Sequence, residues 1–182
     1  MTEYEQLCSI LNDEFLAVSQ DRMVETKGSN HKAQYVNIDD EKRAFERSLY
    51  RFDLEEKEFL YFFNRTKNSP EGLRKFCDYI LLVSYKQKTF VILIELKRGD
   101  TYGADAQLKA SEVFIEFLCK TAVRLHKDFG DFNFNTKNVV LRKVIIKAVK
   151  SNKTGTRGTQ IDKTQDIILY KSSGMFPLAK FL

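Results

Sequence analysis

The most apolar part of the chain is residues 77–100, CDYILLVSYKQKTFVILIELKRGD. Two runs rich in Ile, Val, Leu, Phe and Tyr are separated by the polar connector YKQK, which has the length of a hairpin loop. This pattern predicts two paired β-strands. Because the runs are almost continuously apolar rather than alternating, both faces of these strands should be covered, as in the centre of an α/β sheet.

Apolar residues at helical spacing mark two other segments. They predict an amphipathic helix over residues 3–19 and a longer one over residues 104–127. Strands are predicted at VVLRKVIIKAVK and QDIILY, with weaker strand patterns at AQYVNI and ERSLYRFDLE and a short aromatic helix at EEKEFLYFFN. The order of these elements predicts an α/β fold, a mixed β-sheet flanked by helices.

Length and composition favour one globular unit. The chain has 182 residues, of which 43% are hydrophobic, so we expect a single domain over residues 1–182 with its core motif region at about 70–150. No apolar run approaches the roughly 20 residues of a membrane span, and the N-terminus is acidic rather than a basic leader. We therefore expect a soluble, cytoplasmic protein without a membrane partner. The three cysteines lack metal-ligand spacing and are expected to be reduced thiols.

Charge is distributed unevenly along the chain. Residues 1–60 hold fourteen acidic and eight basic residues, a net charge of −6, whereas residues 137–163 hold eight basic residues against one acidic, a net charge of +7. A basic segment of this kind attracts a phosphate backbone, although ordinary solvated faces also carry such an excess. The candidate nucleic-acid-binding residues are Lys147, Lys150, Lys153 and Arg157.

An acidic residue lies at the outer end of each apolar run. If the hairpin closes around Lys86 and Gln87, the register pairs Asp78 with Glu95, and directly paired residues share a face. Lys97 follows Glu95 by two positions and lies on the same face. Like charges directly opposite each other repel, so a cation is expected between the two carboxylates.

This grouping suits metal-assisted hydrolysis of nucleic acid. A hard divalent ion, Mg²⁺ or Mn²⁺, takes oxygen ligands, and Asp78 and Glu95 would supply them together with the backbone carbonyl of Leu96. Such an ion lowers the pKa of a bound water and binds a phosphodiester oxygen. Lys97 would orient the water or stabilise the charge that develops on phosphorus.

Asp78, the Glu95-Leu96-Lys97 tripeptide at the end of an apolar strand, and Gln107 early in the next helix together resemble the PD-(D/E)xK nuclease superfamily. The resemblance implies a restriction-endonuclease-like fold, also found in Holliday-junction resolvases. It implies that Asp78 and Glu95 are metal ligands, that Lys97 is the catalytic lysine and that Gln107 is an auxiliary polar residue. The superfamily often adds a carboxylate from the first helix, for which Glu5 and Glu14 are both candidates. Cys77 replaces the Pro that names the motif.

The tripeptide alone carries little weight, because Glu-x-Lys occurs three times in the chain. Only the third instance ends an apolar strand with an Asp in register. We expect a metal-dependent endonuclease acting on DNA rather than RNA, with protein partners or a homo-oligomer, such as a nuclease of a bacterial antiviral defence or DNA-processing system. The alternative is a catalytically silent nuclease-like fold that binds nucleic acid or protein, in which Lys97 forms only a salt bridge. An inhibitor or adaptor is a third hypothesis.

Overall fold

The chain forms two sheets and two α-helices in the residues that the computed structural model describes, which are 1–25, 34–40, 45–52, 76–98, 100–126, 138–148, 161–164, 166–172 and 174–182. The helices are α1 (Glu3–Ile10) and α2 (Ala104–Leu125). The strands are β1 (Arg22–Glu25), β2 (Gln34–Asp39), β3 (Glu46–Arg51), β4 (Tyr79–Tyr85), β5 (Lys88–Lys97), β6 (Val139–Ala148), β7 (Ile161–Thr164), β8 (Ile167–Ser172) and β9 (Met175–Pro177). Single 3₁₀ turns lie at Asp13–Phe15 and Leu178–Lys180. Neither described helix has the length and apolarity needed to cross a membrane.

The two apolar runs form the predicted hairpin, β4 and β5. Lys86 and Gln87 occupy its tip with φ values of 48° and 60°, and positive φ at both central residues suits a two-residue hairpin loop. Tyr79 pairs with Ile94, and the same antiparallel register continues to the turn. The predicted register is therefore confirmed. The side chains of both strands are buried over most of their length, so the prediction that both faces are covered is also confirmed.

The larger sheet has six strands in the order β3-β4-β5-β6-β8-β7. The pairs β5–β6 and β6–β8 are parallel and the other pairs are antiparallel. Parallel neighbours need a long crossover, and α2 lies in the connection between β5 and β6. The prediction of a mixed α/β architecture is confirmed. A consequence for the site is that the carboxyl ends of β5, β6 and β8 meet at one edge of the sheet.

The two faces of this sheet are covered differently. Helices α1 and α2 pack on one face, which we call the helical face, where Ile80 and Leu93 lie in the core. The other face packs against the three-stranded sheet β1-β2-β9, through buried residues such as Met23, Val36 and Phe176. The sequence predicted helices as the flanking layers, whereas the described helices lie on one face only. The second sheet takes their place because its strands carry apolar side chains that fill the opposite side.

Some predicted boundaries are wrong. The first helix ends at Ile10 rather than near residue 19, because Leu11 is extended and the Asn12 side chain accepts a hydrogen bond from the Glu14 amide to start a 3₁₀ turn. The strands at AQYVNI, ERSLYRFDLE, VVLRKVIIKAVK and QDIILY are confirmed as β2, β3, β6 and β8. The short strands β1, β7 and β9 were not predicted. The aromatic segment EEKEFLYFFN lies outside the described residues.

Candidate active site

Asp78 and Glu95 lie next to each other where β4 begins and β5 approaches its end. Both are buried, with 4% and 2% of their surface exposed. Each carboxylate accepts a hydrogen bond from the backbone of the other strand. The Leu96 amide donates to Asp78 Oδ2 at 2.8 Å, and the Asp78 amide donates to Glu95 Oε2 at 3.2 Å. The hairpin register therefore brings the two predicted carboxylates together, as expected.

Lys97 supplies part of the positive charge expected beside these acids, and a metal ion between them stays a prediction. Lys97 Nζ lies 2.8 Å from Glu95 Oε1, and two backbone amides stabilise the remaining negative charge. The fold therefore places one ammonium and two backbone amides against these two carboxylates.

Gln107 fixes the position of Lys97 from the first turn of α2. Lys97 Nζ donates to Gln107 Oε1 at 3.2 Å, and Gln107 Nε2 donates to the carbonyl of Phe76 at 3.1 Å. The second bond sets the orientation of the amide, because only its oxygen can then face the ammonium. α2 starts after Gly103, whose φ of 75° lies in the left-handed region that favours glycine. Gln107 therefore contacts Lys97 directly, and Lys97 in turn contacts Glu95.

Ser111 supports the site and was not recognised in the sequence. Its hydroxyl accepts a hydrogen bond from the Cys77 amide at 2.8 Å and donates to the carbonyl of Gln107 at 2.9 Å. The residue is fully buried. It thereby ties the segment before Asp78 to α2, one turn beyond Gln107. The sequence did contain a signal for this role, because Ser111 is a polar residue on the otherwise apolar stripe of α2. A buried hydroxyl needs hydrogen-bond partners, so such a serine indicates a contact with another segment.

Cys77, which stands at the position of the motif proline, is a buried thiol. Burial raises its pKa from the ordinary 9.0 to about 12, and the negative charges of Glu95 and Asp78 contribute in the same direction. A protonated thiol is a poor nucleophile, so Cys77 has a packing role beside the site. All three cysteines are free, and Cys77 and Cys119 are buried, which confirms that they are reduced thiols.

The two candidates for the additional carboxylate lie in different places. Glu5 belongs to the capping box of α1, where its Oε2 accepts from the Thr2 amide at 2.7 Å. Glu14 lies in the 3₁₀ turn beside Phe15, which stacks on Phe52. The Phe52 amide in turn donates to the carbonyl of Asp78. Neither acid joins Asp78 and Glu95, because the described residues hold no group of three or more such side chains placed to bind a metal.

Leu96 presents only its backbone to the carboxylates. Its side chain packs in the core against the second sheet. Its amide faces Asp78, and because the N–H and C=O of one strand residue point to the same neighbouring strand, its carbonyl points toward β4 as well. This direction agrees with the predicted use of that carbonyl as a ligand.

The basic residues fall into two groups. Lys147 lies on β6 directly beside Lys97 on β5. Lys150, Lys153 and Arg157 lie outside the described residues.

The donor set fits a magnesium or manganese ion. Within the described ranges no group of three or more His, Cys, Asp or Glu side chains is placed to hold a metal, so Asp78 and Glu95 would be the only side-chain ligands there. Mg²⁺ suits such a site, because it is commonly bound by one or two carboxylates together with water and substrate phosphates. The residues that would hold the ion are Asp78, Glu95 and the backbone of Leu96.

Comparison with known proteins adds no assignment: no family model, curated protein or solved structure matches the chain. The chemistry of the site therefore has to be inferred from its own geometry.

Proposed function

We propose that this chain is a Mg²⁺- or Mn²⁺-dependent endonuclease that hydrolyses phosphodiester bonds in DNA. The observation that carries the proposal is the pair of buried carboxylates, Asp78 and Glu95, with Lys97 bound to one of them and held by Gln107. Carboxylate and lysine side chains assembled at the end of a strand are the groups that this hydrolysis needs.

The arrangement of elements around the site also supports a restriction-endonuclease-like core. The hairpin β4–β5 carries the acids, α2 follows and supplies Gln107, and β6 returns parallel to β5. We infer that this hairpin, helix and strand form the nuclease core, with the second sheet as an additional layer.

Each residue has a distinct part in the proposed reaction. Asp78 and Glu95 hold the ion, which when bound would polarise a phosphodiester oxygen and acidify water. Lys97 places an ammonium next to the carboxylates, where it can stabilise negative charge that grows on the phosphate oxygens. Gln107 restricts the ammonium to that position, and Ser111 keeps the chain before Asp78 in place. A DNA strand would approach from the edge where β5, β6 and β8 end.

One observation favours the alternative, a catalytically silent nuclease-like fold that binds nucleic acid or protein. Glu95 has one oxygen paired with Lys97 and the other bonded to the Asp78 amide, a pattern that also occurs in purely structural ion pairs. Such a fold would keep the cluster for stability alone.

Cleavage assays separate the two functions. Purified protein is incubated with plasmid, single-stranded DNA and RNA, each with Mg²⁺, Mn²⁺ or EDTA. We expect cleavage of DNA that EDTA abolishes and that Asp78→Asn removes. Asp100→Asn is the matched control, because Asp100 is an exposed acid in the loop after β5 whose Oδ1 caps the Tyr102 amide. Absence of metal-dependent cleavage in the wild type, or full cleavage by Asp78→Asn, would overturn the proposal.

A further inference from the structure

The long helix α2 carries apolar side chains on its outward side as well as on its inward side. Its inward side packs in the core of the helical face through residues such as Leu108 and Ile115. On the opposite side, Val113 and Phe117 keep 65% and 64% of their surface exposed. Neighbouring apolar side chains on a protein surface mark an interaction site, so the outward side of α2 is a candidate contact surface.

The outward apolar side chains form one stripe, with small residues toward its beginning and larger ones toward its end. Ala106, Ala110, Val113 and Phe117 follow one another at intervals of three and four residues, so they lie along one side of the helix. Ala106 is exposed and Ala110 is half-buried. Two alanines one turn apart leave a gap between them that a larger side chain fills. The stripe therefore holds both the gap and, in Phe117, a side chain of the size to fill it.

A second copy of the chain brings these complementary parts together. When two identical helices pack antiparallel around a two-fold axis, every contact occurs twice, because the same patch lies on both copies. With the axis between residues 112 and 113, Phe117 is level with the midpoint between Ala106 and Ala110 of the second copy. Val113 lies beside its own counterpart at the axis. Side chains that insert into gaps in this way are the contacts that hold coiled-coil helices together.

Charged residues beside the stripe agree with the same axis. Within the chain Lys109 pairs with Asp105 at 2.7 Å and Lys120 pairs with Glu116 at 4.0 Å, and helical spacing places all four on one flank of the stripe. In an antiparallel pair, this flank meets the same flank of the second copy. The axis then sets Asp105 level with Lys120 of the second copy, and Lys109 level with Glu116 of the second copy. A parallel pair would instead set each charge against its own like.

We propose that α2 is the contact surface of a homodimer, in which two copies pack antiparallel around a two-fold axis between residues 112 and 113. The flank charges favour a second copy over an unrelated partner, because their order of signs is complementary to itself when reversed. Phe117 supplies the aromatic anchor of the contact, since its large exposed ring becomes buried. The dimer does not depend on the proposed nuclease activity.

The first test removes the apolar contact. The variant Val113→Ser, Phe117→Ser is compared with Val18→Ser, Met175→Ser, which removes two exposed apolar side chains outside α2. Molar mass is measured by size-exclusion chromatography with light scattering over a concentration series, and thermal unfolding at the lowest concentration shows whether each variant is folded. We expect a dimer for the wild type and the control, and a dissociation constant at least about tenfold higher for the α2 variant.

The second test exchanges the charges in one half of the flank at a time. One variant carries Asp105→Lys, Lys109→Glu and the other carries Glu116→Lys, Lys120→Glu, so each keeps oppositely charged residues four positions apart. Alone, each variant sets like charges against each other across the axis, and its dissociation constant should rise by about tenfold or more. An equimolar mixture restores opposite charges at every level, so light scattering should show a mixed dimer as tight as that of the wild type.

A wild type that is monomeric throughout the concentration series would overturn the proposal, as would equal dimerisation of the two serine variants. Charge variants that dimerise like the wild type, or a mixture of them that stays monomeric, would also overturn it. A lower melting temperature of Val113→Ser, Phe117→Ser, at concentrations where the wild type is monomeric, would show that another segment of the same chain covers the stripe. That result contradicts the dimer as well.

Discussion

Lys97 and Arg98 are adjacent where β5 ends, and each pairs with a glutamate on a different face of the sheet. Lys97 Nζ lies 2.8 Å from Glu95 on the helical face. Arg98 Nε lies 3.3 Å from Glu25 Oε2, and Arg98 Nη2 donates to the Glu25 carbonyl at 2.6 Å, which joins β5 to β1 of the second sheet. The Arg98 pair has one positive and one negative group, whereas the Lys97–Glu95 pair lies beside a second carboxylate, Asp78.

The two ion pairs differ in what lies beside them, and we propose that only the Lys97 pair takes part in chemistry. The Arg98–Glu25 pair is neutral and links two layers, and the neighbouring Tyr79 hydroxyl donates to the Val24 carbonyl at 3.0 Å to strengthen the same link. The Lys97–Glu95 pair instead adjoins a second buried carboxylate, that of Asp78. We propose that a second acid beside an ion pair says more about function than the ion pair itself.

The largest expected effect comes from Lys97→Ala. Loss of the ammonium should lower DNA cleavage by about 10²-fold or more, the scale seen when one preorganised electrostatic contact is removed. The stabilisation by Mn²⁺ should remain, because Lys97 is not a proposed ligand. Cleavage rates and melting temperatures of the variant and the wild type provide the measurement. Cleavage at the full rate would remove Lys97 from the active site.

Arg98→Ala should show the opposite behaviour. The variant leaves Glu25 without its arginine between the two sheets, so we expect the free energy of unfolding to fall by about 2 kcal/mol. This loss in stability is smaller than for a fully buried ion pair, because Arg98 and Glu25 keep 22% and 14% of their side chains exposed. Cleavage per folded molecule should be unchanged. Urea unfolding measures the stability, and DNA-cleavage assays run in parallel measure the activity per folded molecule. A variant that is as stable as the wild type but cleaves DNA poorly would contradict a purely structural role for Arg98.

Ser111→Ala tests the support behind the carboxylates. The Cys77 amide would lose its buried acceptor, which should destabilise the protein by about 1–2 kcal/mol. Asp78 follows Cys77, so we also expect the rate of DNA cleavage to fall. The rate should fall about tenfold if Ser111 contributes roughly 1.4 kcal/mol to the placement of the Asp78 carboxylate. Ser9→Ala is the control, since Ser9 makes a similar bond to the Gln6 carbonyl on α1. Equal effects of the two variants on cleavage would exclude a positioning role for Ser111.

The effect that is smallest near neutral pH concerns the buried thiols, which affect stability only at alkaline pH. Burial raises the pKa of both Cys77 and Cys119 from 9.0 to about 12, so the unfolded state loses these protons first. The contribution of these thiols to stability should therefore be constant below pH 9 and fall between pH 9 and 12, by up to about 1.4 kcal/mol per pH unit for each thiol. Urea unfolding at several pH values measures this dependence. Cys77→Ala should have a shallower slope, and an identical slope would show that Cys77 does not titrate in this way.

The hairpin and its acids were predictable because they depend on local rules. Two apolar runs of similar length joined by a short polar connector set one register, and that register brings Asp78 beside Glu95. Gln107 was predicted through the resemblance to the PD-(D/E)xK superfamily, whose members often place a polar residue early in the following helix. These features need no knowledge of distant parts of the chain.

Other features depend on contacts between distant segments and gave little local signal. Strand β9 has three residues and pairs with β2, far away in sequence, so no periodicity reveals it. Ser111 looked like one position of an apolar stripe.

The most direct test of the account is Mn²⁺ binding by Asp78 and Glu95, measured as the shift in melting temperature with increasing Mn²⁺. An ion that binds only the folded state stabilises it by about 2.7 kcal/mol at a hundredfold excess over Kd. We predict a concentration-dependent rise in the wild type and in Asp100→Asn, and none in Asp78→Asn or Glu95→Gln. An equal rise in all four proteins, or no rise in the wild type, would contradict the claim that these carboxylates form a metal site.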